Sequence, residues 1–273
     1  IENLEIADKW ILSKLNTLTR EVKENLDKFE MGMAVHKIYD FIWDTYCDWY
    51  IELTKARLYA DDETRKQTAL QVLVYVLDQM LKLLHPFMPF ITEEIWQSIP
   101  HEGDSLMMAQ WPEYREELSF KTEEAQMEAV MEAIGSIRAR RAEMNVPPSK
   151  KATVYIQTDY PDAFMGSEVS FMRLASADKV VIGQIEGDGV MVVTDSAKAM
   201  IPLDQLIDRE KELARLNKEK EKIQKEINMA QGKLSNAGFV SKAPAELVEK
   251  EKEKLARFQE ALTNLEESIA KLM

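Results

Sequence analysis

Through the first 145 positions apolar residues return every three to four places, with charged residues between them. That is the period of helices that bury one face. Trp10, Ile11, Leu15, Leu18, Val22 and Leu26 form one such stripe. Val35, Ile38, Tyr39, Ile42, Trp43, Tyr46, Tyr50 and Leu53 form a second, and Leu70, Leu73, Val74, Leu77, Leu81 and Leu84 a third. No glycine falls between Met33 and Glu102, so nothing there invites a break. Each stripe is wider than a coiled-coil seam, which predicts helices lying side by side as a bundle over residues 1–145.

The texture changes at Pro147 and Pro148, because consecutive prolines bar helix at the preceding residue. "ATVYIQT", "KVVIG" and "VMVVTD" are short β-branched runs bounded by Gly, Asp and Pro, with a helical stretch between the first and second. They predict a small α+β unit over 146–202. From Leu203 the spacing becomes heptad: Leu206, Leu213, Leu216, Ile223, Ile227, Ala230 and Leu234, interrupted by Arg209 and Lys220. A second run, Val248, Leu255, Phe258, Leu262, Leu265, Ile269 and Leu272, is broken only by Glu251. Two such helices joined by "SNAGFVSKAP" predict an antiparallel coiled-coil hairpin over 203–273. Asn236 and Gly238 suit the first arm's C-terminal cap and Pro244 the first turn of the second. At 1.5 Å per residue each arm reaches on the order of 45 Å. The expected fold class is mainly α.

One run, "LLHPFMPFITEEIWQ" from Leu83 to Gln97, holds a histidine, two prolines, a threonine and a Glu-Glu pair. A metal site would need partners for His85 at ligand spacing, yet Glu93 and Glu94 lie beyond both prolines and no His-x-x-x-His or Glu-x-x-His occurs. Nor does a Gly-x-Ser-x-Gly elbow occur, and Cys47 stands alone. A helix-to-helix corner explains the residues. Pro86 stops one helix just after His85, Pro89 starts the next at its first turn, and Thr92, Glu93 and Glu94 put acceptors and negative charge near its N-terminus. Phe87, Phe90, Ile91, Ile95 and Trp96 are expected to fill that corner.

Hydrophobic residues make up 45% of the 273, enough for real cores. No apolar window approaches the roughly 18 residues of a membrane span, so no membrane partner is expected. The opening "IENLEIADKW" lacks the basic and apolar regions of a signal peptide and reads as the interior of a longer chain. A single cysteine makes neither an internal disulfide nor a Cys-rich zinc site. That favours a cytoplasmic protein without a structural metal.

The net charge of −13 would by itself argue against nucleic acid. Locally the balance reverses. Arg209 to Arg257 carries thirteen Lys and Arg against nine acids, and "RARRAEMNVPPSKK", Arg138 to Lys151, carries five against one. Lys and Glu interspersed on coiled-coil flanks are usually a solvated face, but the excess here lies on one arm. Asp40, Asp44, Asp48 and Glu52 recur four apart. Compensation by Arg57, Arg138, Arg140 or Arg141 is expected rather than a cation site, since oxygen-only sites draw ligands from loops. Of the aromatics on that helix, Trp43, Tyr46 and Tyr50 fit the buried stripe, leaving Trp49 as the candidate to stack on an unpaired base.

The stretch 83–97 resembles the signature of the helical anticodon-binding domain that follows the catalytic domain in class I aminoacyl-tRNA synthetases of the valine, isoleucine, leucine and methionine group. "IADKWILSKLN", "YDFIWDTYCDWYIELTK" and "IRARRAEMNVPPSKKATVYI" are similar to the same group. "KLSNAGFVSKAPAELVEKEKEKL", at the hairpin turn, is similar to the bacterial-type valyl-tRNA synthetases, and the one Cys departs from the cysteine-rich zinc module expected of an isoleucine enzyme.

The resemblance implies a C-terminal, tRNA-binding part, with the bundle on the anticodon region and the hairpin on the outer elbow, serving an absent catalytic domain that charges tRNA with valine. The family's His-x-Gly-His and Lys-Met-Ser-Lys-Ser strings do not occur. The chain is therefore expected to be inactive alone, with no catalytic residue, metal or cofactor of its own and ATP used by the parent ligase. Its expected partners are valine-specific tRNA and the parent's own catalytic domain, with the chain otherwise monomeric. The candidate anticodon-region contacts are Trp49, Lys55, Arg57, Arg138, Arg140 and Arg141; those of the coiled-coil arm are Arg215, Lys218, Lys222 and Lys225. The alternative is a coiled-coil scaffold that binds a protein helix and no RNA.

Overall fold

The computed structural model describes residues 3–206, 209–236 and 245–272. The chain divides into two compact units, Ile1–Pro202 and Leu203–Met273.

In the first unit, α1 (Ile6–Asp27) opens on a capping box: the Glu5 side chain accepts from the backbone N–H of Asp8, and the Asp8 carboxylate accepts from the N–H of Glu5 at 2.9 Å. Its stripe of Trp10, Ile11, Leu15, Leu18 and Val22 is buried as expected. The next helix runs unbroken over residues 31–58 but changes pitch: α2 (Met31–Asp40) is α-helical, Phe41–Tyr50 is π-helical, and α3 (Ile51–Leu58) is α-helical again. A π-turn closes i→i+5 hydrogen bonds and so rotates every later residue. The buried row becomes Ile38, Phe41, Tyr46, Tyr50 and Leu53, while Tyr39 and Trp43 are 58% and 52% exposed. The expected stripe placed both in the core because it assumed one uniform pitch.

Helix α4 (Glu63–Leu84) starts at Asp62, whose side chain accepts from the N–H of Arg65 at 3.1 Å. Its buried face is Ala69, Val72, Val76, Met80, Leu81 and Leu83. Of the expected row only Leu81 is fully buried, and Leu70 is exposed. Two apolar rows run along α4, and the one turned inward begins with the smaller Ala69, Val72 and Val76. After α5 (Pro89–Gln97), α6 (Lys121–Glu143) packs on α1 and also meets the sheet that follows.

That sheet has the order β2-β1-β4-β3. Strand β1 (Ala152–Thr158) crosses through α7 (Pro161–Met165) and α8 (Glu168–Leu174) to a parallel β2 (Ala177–Ile182). Strands β3 (Gly189–Val193) and β4 (Ala197–Pro202) form a hairpin, with β4 antiparallel to β1. Strand β4, "AKAMIP", has Ile201 as its only β-branched residue and so carries no strand signal of its own. Its partners on both sides make it a strand. Gly189 has no room for a side chain, since a Cβ there would sit 2.5 Å from the Ile201 carbonyl oxygen.

The second unit contains the hairpin of α10 (Arg209–Ser235) and α11 (Ala245–Leu272), preceded by the short α9 (Leu203–Leu206). Leu216, Ile227, Ala230 and Leu265 are buried. Lys220 and Glu251, the positions that interrupt the heptads, pair across the hairpin: Lys220 with Glu266 at 2.8 Å and Lys233 with Glu251 at 2.7 Å. Lys254 and Glu226 add a third cross-pair at 3.6 Å. Residues late in one arm thus meet residues early in the other, as an antiparallel pairing requires. Gly238 and Pro244, assigned to the turn, lie outside the described residues, as does the side chain of Arg209.

The bundle's least tolerant contact is a buried cluster. Asp8 Oδ1 accepts from the Tyr50 hydroxyl at 2.7 Å and from Arg57 Nη2 at 2.6 Å, while Oδ2 accepts from Arg57 Nη1 at 2.7 Å. With the Glu5 N–H, the carboxylate has four donors. Burial alone would favour an uncharged Arg57, but Asp8 outweighs it and holds the guanidinium charged, above its usual range. Burial, then the Asp8 charge, pushes the Tyr50 hydroxyl well up. Asp8→Ala should cost about 3–5 kcal/mol by stranding the Arg57 charge, and Tyr50→Phe about 2 kcal/mol. Urea unfolding followed by circular dichroism compares them, and an Asp8→Ala loss no larger than that of Tyr50→Phe would show that the ion pair is not the anchor.

Candidate nucleic-acid interface

The 83–97 stretch is the corner its prolines predict. His85 ends α4, with its N–H on the Leu81 carbonyl at 2.9 Å, and Pro89 opens α5. Thr92 donates its hydroxyl proton to the Met88 carbonyl at 2.8 Å. The same oxygen, 2.8 Å from His85 Nδ1, therefore accepts from the ring, which ties the end of α4 to α5. Glu93 accepts from Gln97, Ser105 and the Leu106 N–H, contacts that keep its carboxyl below the usual range. Of the apolar residues expected to fill the corner Trp96 is the one fully buried, packed with Leu81 and Leu106 and donating from Nε1 to Asp78 at 2.8 Å. The other apolar residues do not fill it: Phe90 is 91% exposed, Ile91 and Ile95 are exposed, and Phe87 is half-buried. Residues of α5 a turn apart share a face, and only the face bearing Thr92 and Trp96 turns inward.

The candidate anticodon-region residues separate into groups. Arg57 is 4% exposed with both terminal nitrogens on Asp8, so it is part of the core and closed to a phosphate at the surface. Lys55 is half-exposed and paired with Glu52. Arg140 is exposed and paired with Glu143 at 2.9 Å. Trp49, Arg138 and Arg141, by contrast, line one groove of about 940 Å³ between the 31–58 helix, α6 and α8, together with Asp48, Glu52 and Arg173. Trp49 is half-buried there, less open than the Trp43 and Tyr39 that the sequence placed in the core. Those two rings lie 6.3 Å apart, centroid to centroid, on the helix surface.

Arg141 is the most buried of the three. It is 4% exposed; Nη2 donates to the carbonyls of Lys150 and Pro147, and Nη1 has no hydrogen-bond partner. Burial pushes its pKa down. Arg173 was not among the candidates: it is a lone basic residue in "FMRLAS", and only the crossover through α8 brings it to α6. The acid row is not answered by Arg57 as expected. Asp40 meets His36 at 3.4 Å, Glu52 meets Lys55, and Asp48 faces the groove. Among the described residues no group of three or more His, Cys, Asp and Glu gathers as a metal site.

On the hairpin, Lys218, Lys222 and Lys225 are exposed on successive turns of α10, without ion-pair partners among the described residues. The Arg215 side chain lies outside the described residues.

The family model for the anticodon-binding domain of tRNA ligases matches residues 8–156, and that for the valyl-tRNA synthetase tRNA-binding arm matches residues 208–273. The chain belongs to the anticodon-binding family of tRNA ligases. Its relatives include the valine–tRNA ligases of Clostridium acetobutylicum, 47% identical over 100% of this chain and 32% of the relative, and of Clostridium perfringens, 46% identical over 99% and 32%. The Bacillus subtilis ligase is 42% identical over 91% of the chain and 29% of the relative. The chain thus spans about a third of the length of these relatives, consistent with a C-terminal part. Among the described residues no helix is long and apolar enough to cross a membrane.

Within this anticodon-binding domain His85 has a bonding role that glutamine only partly reproduces. His85→Gln should lower stability by about 1 kcal/mol, the worth of one hydrogen bond, and leave RNA affinity unchanged. Thermal unfolding and filter binding on the same sample check both, and a loss of affinity at unchanged stability would place His85 in the interface.

Proposed function

We propose that this chain is the tRNA-binding region of a valine–tRNA ligase, holding the anticodon stem and loop on the bundle and the outer elbow on the hairpin. The observation that carries the reading is the pair of matches to two tRNA-binding families, which cover the bundle and the arm separately. Lys218, Lys222 and Lys225, without ion-pair partners among the described residues, support the second contact, since phosphates are positioned by exposed cations. The groove and the exposed Tyr39 and Trp43 support the first, since unpaired bases stack on aromatic rings. The remaining two-thirds of the relatives' length is assigned the chemistry: ATP use and valine transfer belong there, and its catalytic domain is the second partner. The chain works as a cytoplasmic monomer.

Two measurements test this. Purified chain should show no valine-dependent exchange of pyrophosphate into ATP, because the family's catalytic strings are absent from it; measurable exchange would overturn the reading. It should bind valine tRNA at low salt with an affinity that falls steeply as salt rises. Replacing Arg215, Lys218, Lys222 and Lys225 together by alanine should flatten the slope of log affinity against log salt by roughly one unit per lost phosphate contact. An unchanged slope would remove the hairpin from the interface, and a wild-type chain that binds a helical peptide but no tRNA would favour the scaffold alternative.

A further inference from the structure

We propose that the outer edge of β3 is a docking strand for an extended segment of another protein, one with apolar side chains at alternate positions and Lys or Arg at both ends. None of its residues belongs to the RNA contacts assigned above, so it goes beyond that reading. In the order β2-β1-β4-β3 the sheet has two edges, and they differ in chemistry. Strand β2 carries the exposed charges Asp178 and Lys179, and its pairing with β1 shifts register between Ala152 and Thr153. Charges and bulges keep a sheet edge from accepting a further strand. Strand β3 has neither: Gly189–Val193 reads "GVMVV", without charge or proline, and pairs with β4 without a shift in register.

The ladder fixes which backbone groups this edge offers. At the hairpin turn the Thr194 N–H donates to the Ala197 carbonyl at 2.9 Å. With Val192 opposite Ala199 and Val190 opposite Ile201, the alternation of an antiparallel pair commits the N–H and C=O groups of Val190 and Val192 to β4. Those of Gly189, Met191 and Val193 therefore point outward, and they have no hydrogen-bond partner among the described residues. The Met191 and Val193 side chains are 46% and 66% exposed, and Met191 stands in one cross-strand row with Met200 and Tyr155. A strand added here continues that row, covering apolar surface as it pairs with the backbone.

Charge selects the occupant. Glu186 and Asp188 precede the strand and Asp195 follows it, all exposed and without ion-pair partners among the described residues. The hairpin's one cation, Lys198, lies on β4 opposite Val193. A second copy pairing antiparallel about Met191 would bring Asp188 of one chain beside Asp195 of the other at each end, and like charges so placed oppose the contact. RNA meets the same acids and has no peptide backbone with which to extend the ladder. A polypeptide with basic ends meets opposite charge at both.

The test uses the whole chain and two fluorescein-labelled peptides of alternating Val and Thr, one flanked by Lys and the other by Glu. By fluorescence anisotropy the Lys-flanked peptide should bind about tenfold more tightly. Met191→Pro deletes an outward N–H and leaves the bonds to β4, so it should weaken that binding about tenfold with the melting temperature little changed. Asp188→Lys with Asp195→Lys changes only exposed charges and should reverse the preference between the peptides, which tests the edge even where the proline variant fails to fold. Hydrogen exchange should slow at the Met191 and Val193 amides when the Lys-flanked peptide is added. Binding that is the same in the wild type and the variants, or no binding of either peptide, would overturn the proposal. A wild-type dimer that Met191→Pro dissociates would give the edge to a second copy, and the same amides already protected in a full-length ligase without peptide would give it to the ligase itself. Either outcome overturns the occupant.

Discussion

A carboxylate sealed from solvent at the start of α1 decides how the bundle closes. Asp8 receives donors from its own cap at Glu5, from Tyr50 at the end of the π-helical segment and from Arg57 in α3. Those donors come from different elements, so the carboxylate is satisfied only when α1 and the 31–58 helix are in register. A buried charge that loses its partner is far more costly than the net worth of the pair when formed. The cluster is therefore better understood as selecting one arrangement of helices than as adding stability. Glu5 extends it outward by accepting from Arg65 Nε at 2.7 Å on α4, which brings a third helix under the same constraint.

The π-helical segment follows from that demand. Tyr50 must point at Asp8 while Phe41 and Tyr46 stay in the core, Tyr46 donating to the Leu73 carbonyl at 3.0 Å. Spacings of five and four residues between these positions fit the wider π turn and not an α-helix alone. The price falls on Trp43, which is turned out to solvent beside the exposed Tyr39. An aromatic pair on the surface is a poor use of apolar area in a solitary domain, and a sensible one in a protein that meets unstacked bases.

Legibility in the sequence followed the range of the interaction. The hairpin and the corner at 83–97 were readable because heptads and prolines act over a few residues; Lys220 and Glu251 even marked where cross-pairs replace apolar contacts. The core faces of the 31–58 helix and α4 were not, because a uniform 3.6-residue projection cannot show a change of pitch or choose between two apolar rows. Strand β4 was missed since "AKAMIP" becomes a strand only between β1 and β3. Of the candidate contacts, Trp49, Arg138 and Arg141 meet in one groove, whereas Arg57 is in the core. Basicity alone does not distinguish an arginine that will find Asp8, 49 residues away, from one that finds nothing.

The same distinction resolves the conflict between a net charge of −13 and a polyanionic partner. Across the bundle many acids are committed to cations: Glu123 to Lys9, Glu21 to Lys37, Asp78 to Lys82, Glu52 to Lys55. Such a pair presents almost no field beyond a Debye length, about 8 to 10 Å in physiological salt. Arg138 and Arg173 at the groove and Lys218, Lys222 and Lys225 on α10 have no ion-pair partner among the described residues, which is why the proposed RNA contacts fall on the groove and on α10. The remaining acidic surface repels RNA from faces that have nothing to read. A strongly acidic chain can then bind RNA with more positional selectivity than a uniformly basic one, because binding away from the free cations is unfavourable.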